Sequence, residues 1–384
     1  MEITKDIKYV GVNDESIRLF EGQYEVENGM SYNSYVILDE KVAVLDTADA
    51  NFTSEWMENV KKALAGRKPD YLVVHHMEPD HSMGIHIFLE EYKEAKVVSG
   101  AKSFAMMKQF FGTDFADRQI SVGDGDVLDL GNHSLTFFTA PMVHWPEVIV
   151  SYEAKTKTLF SADAFGKFGK IGADEEWDDE ARRYYIGIVG KYGAQANALL
   201  SKLAGAEVTR ICPLHGPVLT ENLGHYLDLY KIWAGYESEK KGVAIFYSSV
   251  YGNTKKAAEL LAEELKAKGT DVVIHNLAVR DFSFCVSDAF CYDKVVLATT
   301  TYNAGIFPYM HTFINHLTER NFQNKTVAFI ENGSWAPMAT KVMKGMLEKS
   351  KNLTFCENEV SIKSALSDES IAKIKALAEE LSKK

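Results

Sequence analysis

Two rhythms of apolar residues follow one another along this chain. In its first part, short apolar runs end in polar or glycine punctuation: SYNSYVILDE, KVAVLDT, YLVVHH, AKVVSG, HSLTFFTAP, EVIVSYEAK and KTLFSADAF each carry β-branched or aromatic residues and predict strands. Helical spacing interrupts them. Phe52, Trp56, Val60 and Leu64 recur every four residues between Asn51 and Gly66, which predicts an amphipathic helix with a glycine stop. A second helical region is expected from Asp178 to Leu203. Strands with intervening helices, but without strict βαβ alternation, point to an α+β or layered α/β domain.

The polar segment YESEKKG, residues 236–242, marks a change of pattern, and the domain border is set there, giving 1–240 and 241–384. Beyond it strand and helix alternate: VAIFYSS, TKKAAELLAEELKAKG, DVVIHNL, KVVLATT and TVAFIEN. A closing helix after Ser367 places Ile371, Ile374, Leu377 and Leu381 on one stripe. This half predicts a doubly wound parallel sheet.

Composition narrows the function. At 384 residues two domains are expected, and 42 basic against 54 acidic residues give a net charge of −12, which repels a phosphate backbone. Nucleic acid is therefore not an expected partner. The start, MEITKDIKYVG, has no apolar signal region, and no run approaches the roughly 18 apolar residues of a membrane span, so a soluble cytoplasmic protein is expected. Cys212, Cys285, Cys291 and Cys356 form no C-x-x-C pair. Neither a disulfide framework nor a cysteine-ligated metal is signalled, and any rubredoxin-type electron carrier is expected on another chain.

The stretch SSVYGNT, from Ser248 and Ser249 through Val250, Tyr251, Gly252 and Asn253 to Thr254, joins a strand to a helix. Small hydroxyl residues and a glycine at such a junction offer N–H groups to a phosphate. The loop lacks the lysine of G-x-x-x-x-G-K-[ST] and the spacing of G-x-G-x-x-G. Taken alone it also reads as a serine N-cap on a glycine turn. Two more loops follow strands at the same edge: TTTYNAGIFPYM brings Thr301, Tyr302, Asn303, Ala304 and Gly305, and ENGSWAPM brings Asn332, Gly333, Ser334 and Trp335. An aromatic in each suits a flat ring above a phosphate-anchored tail. The segment IFYSSVYGNTKKAAELL resembles the flavodoxins at Ser249, Gly252, Thr254 and Ala258. That resemblance, over residues 243–384, implies non-covalent FMN.

The densest chemistry lies in HHMEPDHS, residues 75–82. His76, Glu78, Asp80 and His81 cannot all reach one ion from a regular helix or strand, but a loop can share them between two neighbouring ions. His144 in APMVHWPE, Asp163 in LFSADAF and His215 in ICPLHGP lie at or just after predicted strand ends, where sites collect. If Asp163 bridges, each metal receives four protein ligands. A lone His144 or His215 is more often a satisfied histidine than a ligand. The density of ligand types behind an apolar strand is what argues for metal. His75 is expected to point away from His76, and His86 lies beyond the cluster.

This arrangement resembles the metallo-β-lactamase fold, including AVLDTAD with Asp46 at the position of that fold's structural aspartate. Zinc hydrolases of that fold usually read H-x-H-x-D-H. Here Glu78 stands for the second histidine, a harder donor that favours iron. Both domains in this order resemble the two-domain flavodiiron proteins over essentially all 384 residues. The resemblance implies an αββα domain ahead of the flavodoxin-like one. It also implies one iron on His76, Glu78 and His144, another on Asp80, His81 and His215, and Asp163 between them. It further implies reduction of dioxygen to water, nitric oxide to nitrous oxide, or both, in an anaerobe or microaerophile under oxidative or nitrosative stress. The implied electron donor is a rubredoxin-like protein served by an NAD(P)H-linked reductase. A head-to-tail homodimer or dimer of dimers is implied as well. The early loop FEGQYEVENG, residues 20–29, and Tyr192 are expected to border the iron pocket. The competing reading is a dizinc hydrolase fused to a flavodoxin domain.

Overall fold

A computed structural model describes residues 1–383. The chain divides into two compact units, Met1–Lys231 and Ile232–Lys384. The pattern change at 240/241 coincides with the start of the strand Lys240–Tyr247, whereas the packing border falls earlier, inside the helix Leu223–Ala234. The indole N–H of Trp233 donates to Glu239 (2.5 Å), tying the end of that helix to the segment leading into the strand.

The first unit is built on two sheets. One runs in the order Ile7–Tyr9, Tyr35–Leu38, Val42–Leu45, Tyr71–Val73, Lys96–Ser99, Gln119–Ser121, and its last three pairings are parallel. The other runs Val127–Asp129, Ser134–Thr139, Ile149–Glu153, Thr158–Phe160, Arg210–Cys212, with only its last pair parallel. Period-two alternation shows why they stack. Val42 and Val44 join Trp56 and Val60 of the helix Thr53–Leu64, while Ala43 and Leu45 join Phe137, Ile149 and Phe160 of the second sheet. A strand buried on both faces must be apolar throughout, as VAVL is. The helix Gly193–Leu203 buries Ala196, Leu199 and Leu203 and contacts the strand Ser134–Thr139, completing the αββα layering.

The helical region expected over 178–203 is interrupted. Helix Trp177–Tyr184 runs into a π turn, Tyr185–Val189, and a 3₁₀ turn, Gly190–Tyr192, before helix Gly193–Leu203. Glycines at 187, 190 and 193 make the interruption cheap. Tyr24 exploits it, donating its O–H to the Gly187 carbonyl (2.8 Å) with its ring where a Cβ on Gly187 would meet it at 2.9 Å.

The second unit is a parallel sheet in the order Val272–Asn276, Lys240–Tyr247, Tyr292–Tyr302, Thr326–Asn332, with Thr354–Phe355 and Val360–Ile362 both paired to the last. The chain steps to one side of its first strand and then to the other. That reversal opens a crevice at the carboxyl ends of Lys240–Tyr247 and Tyr292–Tyr302. Helix Asn253–Ala267 buries Ala257, Ala258 and Leu261 in one cluster with Ile374, Leu377 and Leu381 of the closing helix Asp368–Ser382. Ile371, the fourth member of the expected stripe, is half-buried. Ser367 caps that helix reciprocally with Ser370. All four cysteines are free thiols in the interior. Among the described residues no helix is long and apolar enough to cross a membrane.

Candidate functional site

Strand ends of the first unit deliver the expected ligands to one place. His76, Glu78, His144 and Asp163 form one group and Asp80, His81 and His215 another, all buried, with the ligand-type atoms of each group within 4.8 Å of one another. Nitrogens face nitrogens: His76 Nε2 lies 3.2 Å from His144 Nε2, and His81 Nε2 lies 3.0 Å from His215 Nε2. Asp163 turns Oδ2 toward His144 (3.0 Å) and His76 (3.5 Å), and Oδ1 toward His81 (3.7 Å) and His215 (3.9 Å). One carboxylate thus addresses both groups. Despite burial, the oxygens of Asp80 and Asp163 make no hydrogen bond of acceptable alignment among the described residues. Burying a carboxylate costs several kcal/mol unless it is paired, roughly what one unpaired ion loses in hydration. A cation between the facing nitrogens and the bare oxygens removes both penalties, so the donor set fits two metal ions.

Local sequence explains the convergence. Alternation sends His75 and His76 to opposite sides of the strand continuation. His75 takes the inter-sheet side, where its ring N–H and backbone N–H both donate to Asp46 (2.6 and 2.7 Å) and its Nε2 accepts from Ser151 (2.8 Å). It is satisfied without a metal. His86 is half-exposed and pairs with Glu90 at 3.2 Å. The stretch carrying the ligands is only partly a loop. Pro79 opens a short helix, Pro79–Ser82, that holds Asp80 and His81, a start that proline favours. The N–H and O–H of Thr47 both donate to the His81 carbonyl (3.0 and 2.7 Å) and anchor that turn.

Several neighbours had no signal in the sequence. Glu147 accepts from His76 Nδ1–H (2.8 Å) and the Met77 N–H (2.9 Å), while the Ser31 carbonyl accepts from His215 Nδ1–H (2.7 Å). Each leaves Nε2 free to face the cluster. Phe20, Tyr32 and Tyr184 stand 5.4, 6.1 and 5.5 Å from the His215 ring, and Trp145 is edge-on to His76 at 5.2 Å. Two tyrosines, Tyr32 and Tyr184, are therefore set against the cluster. Tyr192, expected there, is half-buried at the end of the 3₁₀ turn that follows the π turn. The early loop does border the cluster through Phe20 and Glu21, whose carboxyl is pushed up to about 7 by partial desolvation and the charge of Glu78.

Protons take the place of metal in the electrostatics. Burial works against a charged His144, but the Asp163 carboxylate 3.0 Å away and the hydrogen bond to Glu78 outweigh it and raise the imidazole to about 9. Burial likewise opposes charge on His76, and the field of Asp163 with hydrogen bonds to Glu147 and Glu78 holds it above the usual range. Burial raises the Asp163 carboxyl, yet the charges of His76 and His144 win and keep it ionised.

The crevice of the second unit holds a cavity of about 380 Å³. Ser249, Val250, Tyr251, Asn253 and Thr254 line one side, Thr301–Ala304 and Asn332–Trp335 the others. Three expected residues do not line it. Ser248 is buried and shares a hydrogen bond with Thr299 (2.8 Å). Gly252, at φ +91°, turns the chain and gives its N–H to Ser249 Oγ (3.0 Å), and Gly305 pairs back onto Tyr302. Thr300 and Ser364 line it unforeseen, the latter because Asn332 ties Ser364 in by two hydrogen bonds (3.0 and 2.9 Å). Trp335 is 82% exposed and Tyr302 44%, so flat apolar faces stand free beside the small polar residues. Helix Asn253–Ala267 has no side-chain cap, leaving its first-turn N–H groups available to an anion. This lining fits a flavin mononucleotide.

Metal must displace protons here, and the sign follows from the raised histidines. His144 is protonated at neutral pH and loses its proton above about 9. Titration of metal-free protein with ferrous or cobaltous ion is expected to release protons and to bind more tightly as pH rises from 6 toward 9. A flat affinity profile between pH 6 and 10 contradicts the assignment of these imidazoles as ligands.

Comparison with known proteins agrees with this construction. The profile of the family described as ODP family beta lactamase matches residues 30–216, and that of a flavodoxin domain matches residues 244–358. A rubredoxin-oxygen oxidoreductase of Megalodesulfovibrio gigas is 30% identical over 360 residues, covering 89% of this chain and 88% of that one. A nitric oxide reductase of Moorella thermoacetica is 30% identical over 363 residues, covering 91% and 90%. The crystal structure of the flavodiiron protein from Giardia intestinalis shares the fold, with a TM-score of 0.91 at 23% identity over 99% of this chain and 95% of that chain. With both domains matched in order and relatives at this identity aligned along nearly their full length, the chain belongs to the flavodiiron protein family.

Proposed function

We propose that the protein is an oxidoreductase that reduces dioxygen to water, nitric oxide to nitrous oxide, or both, at two non-haem irons, with electrons entering through FMN. The observation that carries this reading is the set of buried, unpartnered Asp80 and Asp163 oxygens between facing pairs of imidazole nitrogens. His76, Glu78 and His144 would hold one iron, Asp80, His81 and His215 the other, and Asp163 would give one oxygen to each. A carboxylate in each half favours iron over the zinc of a hydrolase. Names of relatives cover both substrates, and the rubredoxin in one of them supports a rubredoxin-like donor on another chain. In this reading the protein works in the cytoplasm of an anaerobe or microaerophile, against oxidative and nitrosative stress.

When bound, two ferrous ions and a reduced flavin would together supply the four electrons needed to convert dioxygen to two waters, and two of those electrons would suffice to make nitrous oxide and water from two nitric oxide molecules. The protein's part is position and exclusion. Asp163 would serve both metal positions, Glu147 and Ser31 fix two imidazoles, and the rings of Phe20, Tyr32, Tyr184 and Trp145 would keep bulk water from the pocket. In the second unit the hydroxyls of Ser249 and Thr254 and the helix N-terminus would hold the phosphate, with Tyr302 and Trp335 flanking the ring.

Oxygen uptake followed with an electrode, with catalase added at the end, is expected to return no oxygen from the wild type, because the product is water. Return of half the consumed oxygen would show a two-electron oxidase and end the reading. Ser249→Ala with Thr254→Ala removes two hydroxyl donors to a charged group, each worth about 1.5–3 kcal/mol. FMN affinity should fall on the order of a hundredfold or more, and this variant should turn over slowly and leak peroxide.

Electron transfer demands that flavin and irons lie close, and a head-to-tail homodimer meets that demand by presenting one chain's FMN to its partner's irons. Mixing Gly252→Asp, which blocks the phosphate turn, with His81→Ala, which removes an iron ligand, should restore activity through mixed dimers. Absence of any recovery from folded, exchanging subunits contradicts the head-to-tail arrangement.

A further inference from the structure

The two halves of the cluster offer matching donors. Each has two imidazoles and one carboxylate of its own, and Asp163 turns one oxygen to each. Their surroundings differ. His76 gives its Nδ1 proton to a carboxylate, Glu147 (2.8 Å), which also receives the Met77 N–H (2.9 Å) on the same oxygen. His215 gives its Nδ1 proton to a neutral acceptor, the Ser31 carbonyl (2.7 Å), and His81 Nδ1 has no hydrogen-bond partner. Glu147 is 3% exposed, its Oε2 is buried without a partner, and among the described residues its one ion pair is with His76. Its charge is therefore neither hydrated nor neutralised by lysine or arginine, and it acts on His76 almost undiluted.

We propose that Glu147 is a positioning residue that makes the two metals unequal, fixing His76 with Nε2 toward the cluster and strengthening that nitrogen as a donor, so that the metal of the His76–Glu78–His144 half is the first to be oxidised. The inference rests on the diiron reading above. An imidazole whose N–H is shared with a carboxylate is a stronger base at its other nitrogen, and such outer partners tune a metal about as firmly as they orient its ligand. An extra negative charge in a low-dielectric site favours the more positive ion. When a one-electron oxidant removes one electron from the reduced pair, the iron of this half goes from Fe(II) to Fe(III), and the Nδ1 proton of His76 stays in its hydrogen bond to Glu147. The other half, with a neutral carbonyl behind His215 and nothing behind His81, keeps Fe(II).

The test uses the iron-loaded full chain and two variants. Glu147→Gln keeps the shape and an acceptor oxygen but removes the charge, and Glu147→Asp keeps the charge on a shorter arm. Mössbauer spectra of the reduced and one-electron-oxidised forms, a mediated redox titration and an iron count are recorded on each. The wild type should show two distinct iron environments. Glu147→Gln should alter one of them and leave the other, and lower that site's preference for the ferric state about tenfold, which is about 59 mV for a one-electron couple. Its iron should also pass to a chelator on the order of 10- to 100-fold more readily. Glu147→Asp should restore part of the potential, and it carries the test alone if the glutamine variant does not accumulate. Iron bound with both environments shifted alike, or with neither shifted, overturns the inference and leaves the diiron reading standing. Zinc without iron in every form overturns both.

Discussion

Buried negative charge without a well-aligned hydrogen bond to meet it is the constraint on which the first unit depends. Asp80 and Asp163 lie in the interior with bare oxygens, and the nearest groups are imidazole nitrogens that face one another. No packing of apolar side chains relieves such a cluster, because the penalty lies in lost hydration and not in lost contact. Protons relieve it in part, which is why His76 and His144 are held in their charged forms. Two cations relieve it fully. The sandwich beneath is the scaffold that makes this affordable: strands apolar on both faces end at one edge, so the loops carrying charge are stiffly mounted.

The same edge logic builds the flavin cleft in the second unit, by other means. There the sheet reverses its winding about the strand Lys240–Tyr247, and the loops after that strand and after Tyr292–Tyr302 are left with no helix between them. A glycine at positive φ turns the first loop, and exposed aromatic faces close the cleft. One unit thus gathers charge for metals, while the other gathers neutral donors and flat surfaces for a nucleotide. Neither alone would store the four electrons that conversion of dioxygen to water needs.

Most of this was legible in the sequence, and the physical reason is density. HHMEPDHS puts ligand types side by side behind an apolar strand, SSVYGNT puts small donors behind another, and the unbroken apolar runs VAVL and VAIFY declare each strand. What could not be read depends on tertiary approach. Glu147 sits three residues after His144 yet bonds His76, and Ser31 reaches His215 across 184 positions of chain. Tyr32 and Tyr184 stand against the His215 ring through tertiary approach, which a helical wheel does not show. Ser248 looked like part of the phosphate loop but belongs to the core, since its hydroxyl finds Thr299 on the neighbouring strand.

The account stands on one claim, that these seven side chains hold a bridged pair of irons. Elemental analysis of anaerobically purified protein, wild type beside Asp163→Ala, tests it most directly. The account predicts two irons per wild-type chain, little zinc, and loss of iron from both halves when the shared carboxylate is removed. Stoichiometric zinc in the wild type, or an iron content indifferent to Asp163, would contradict it.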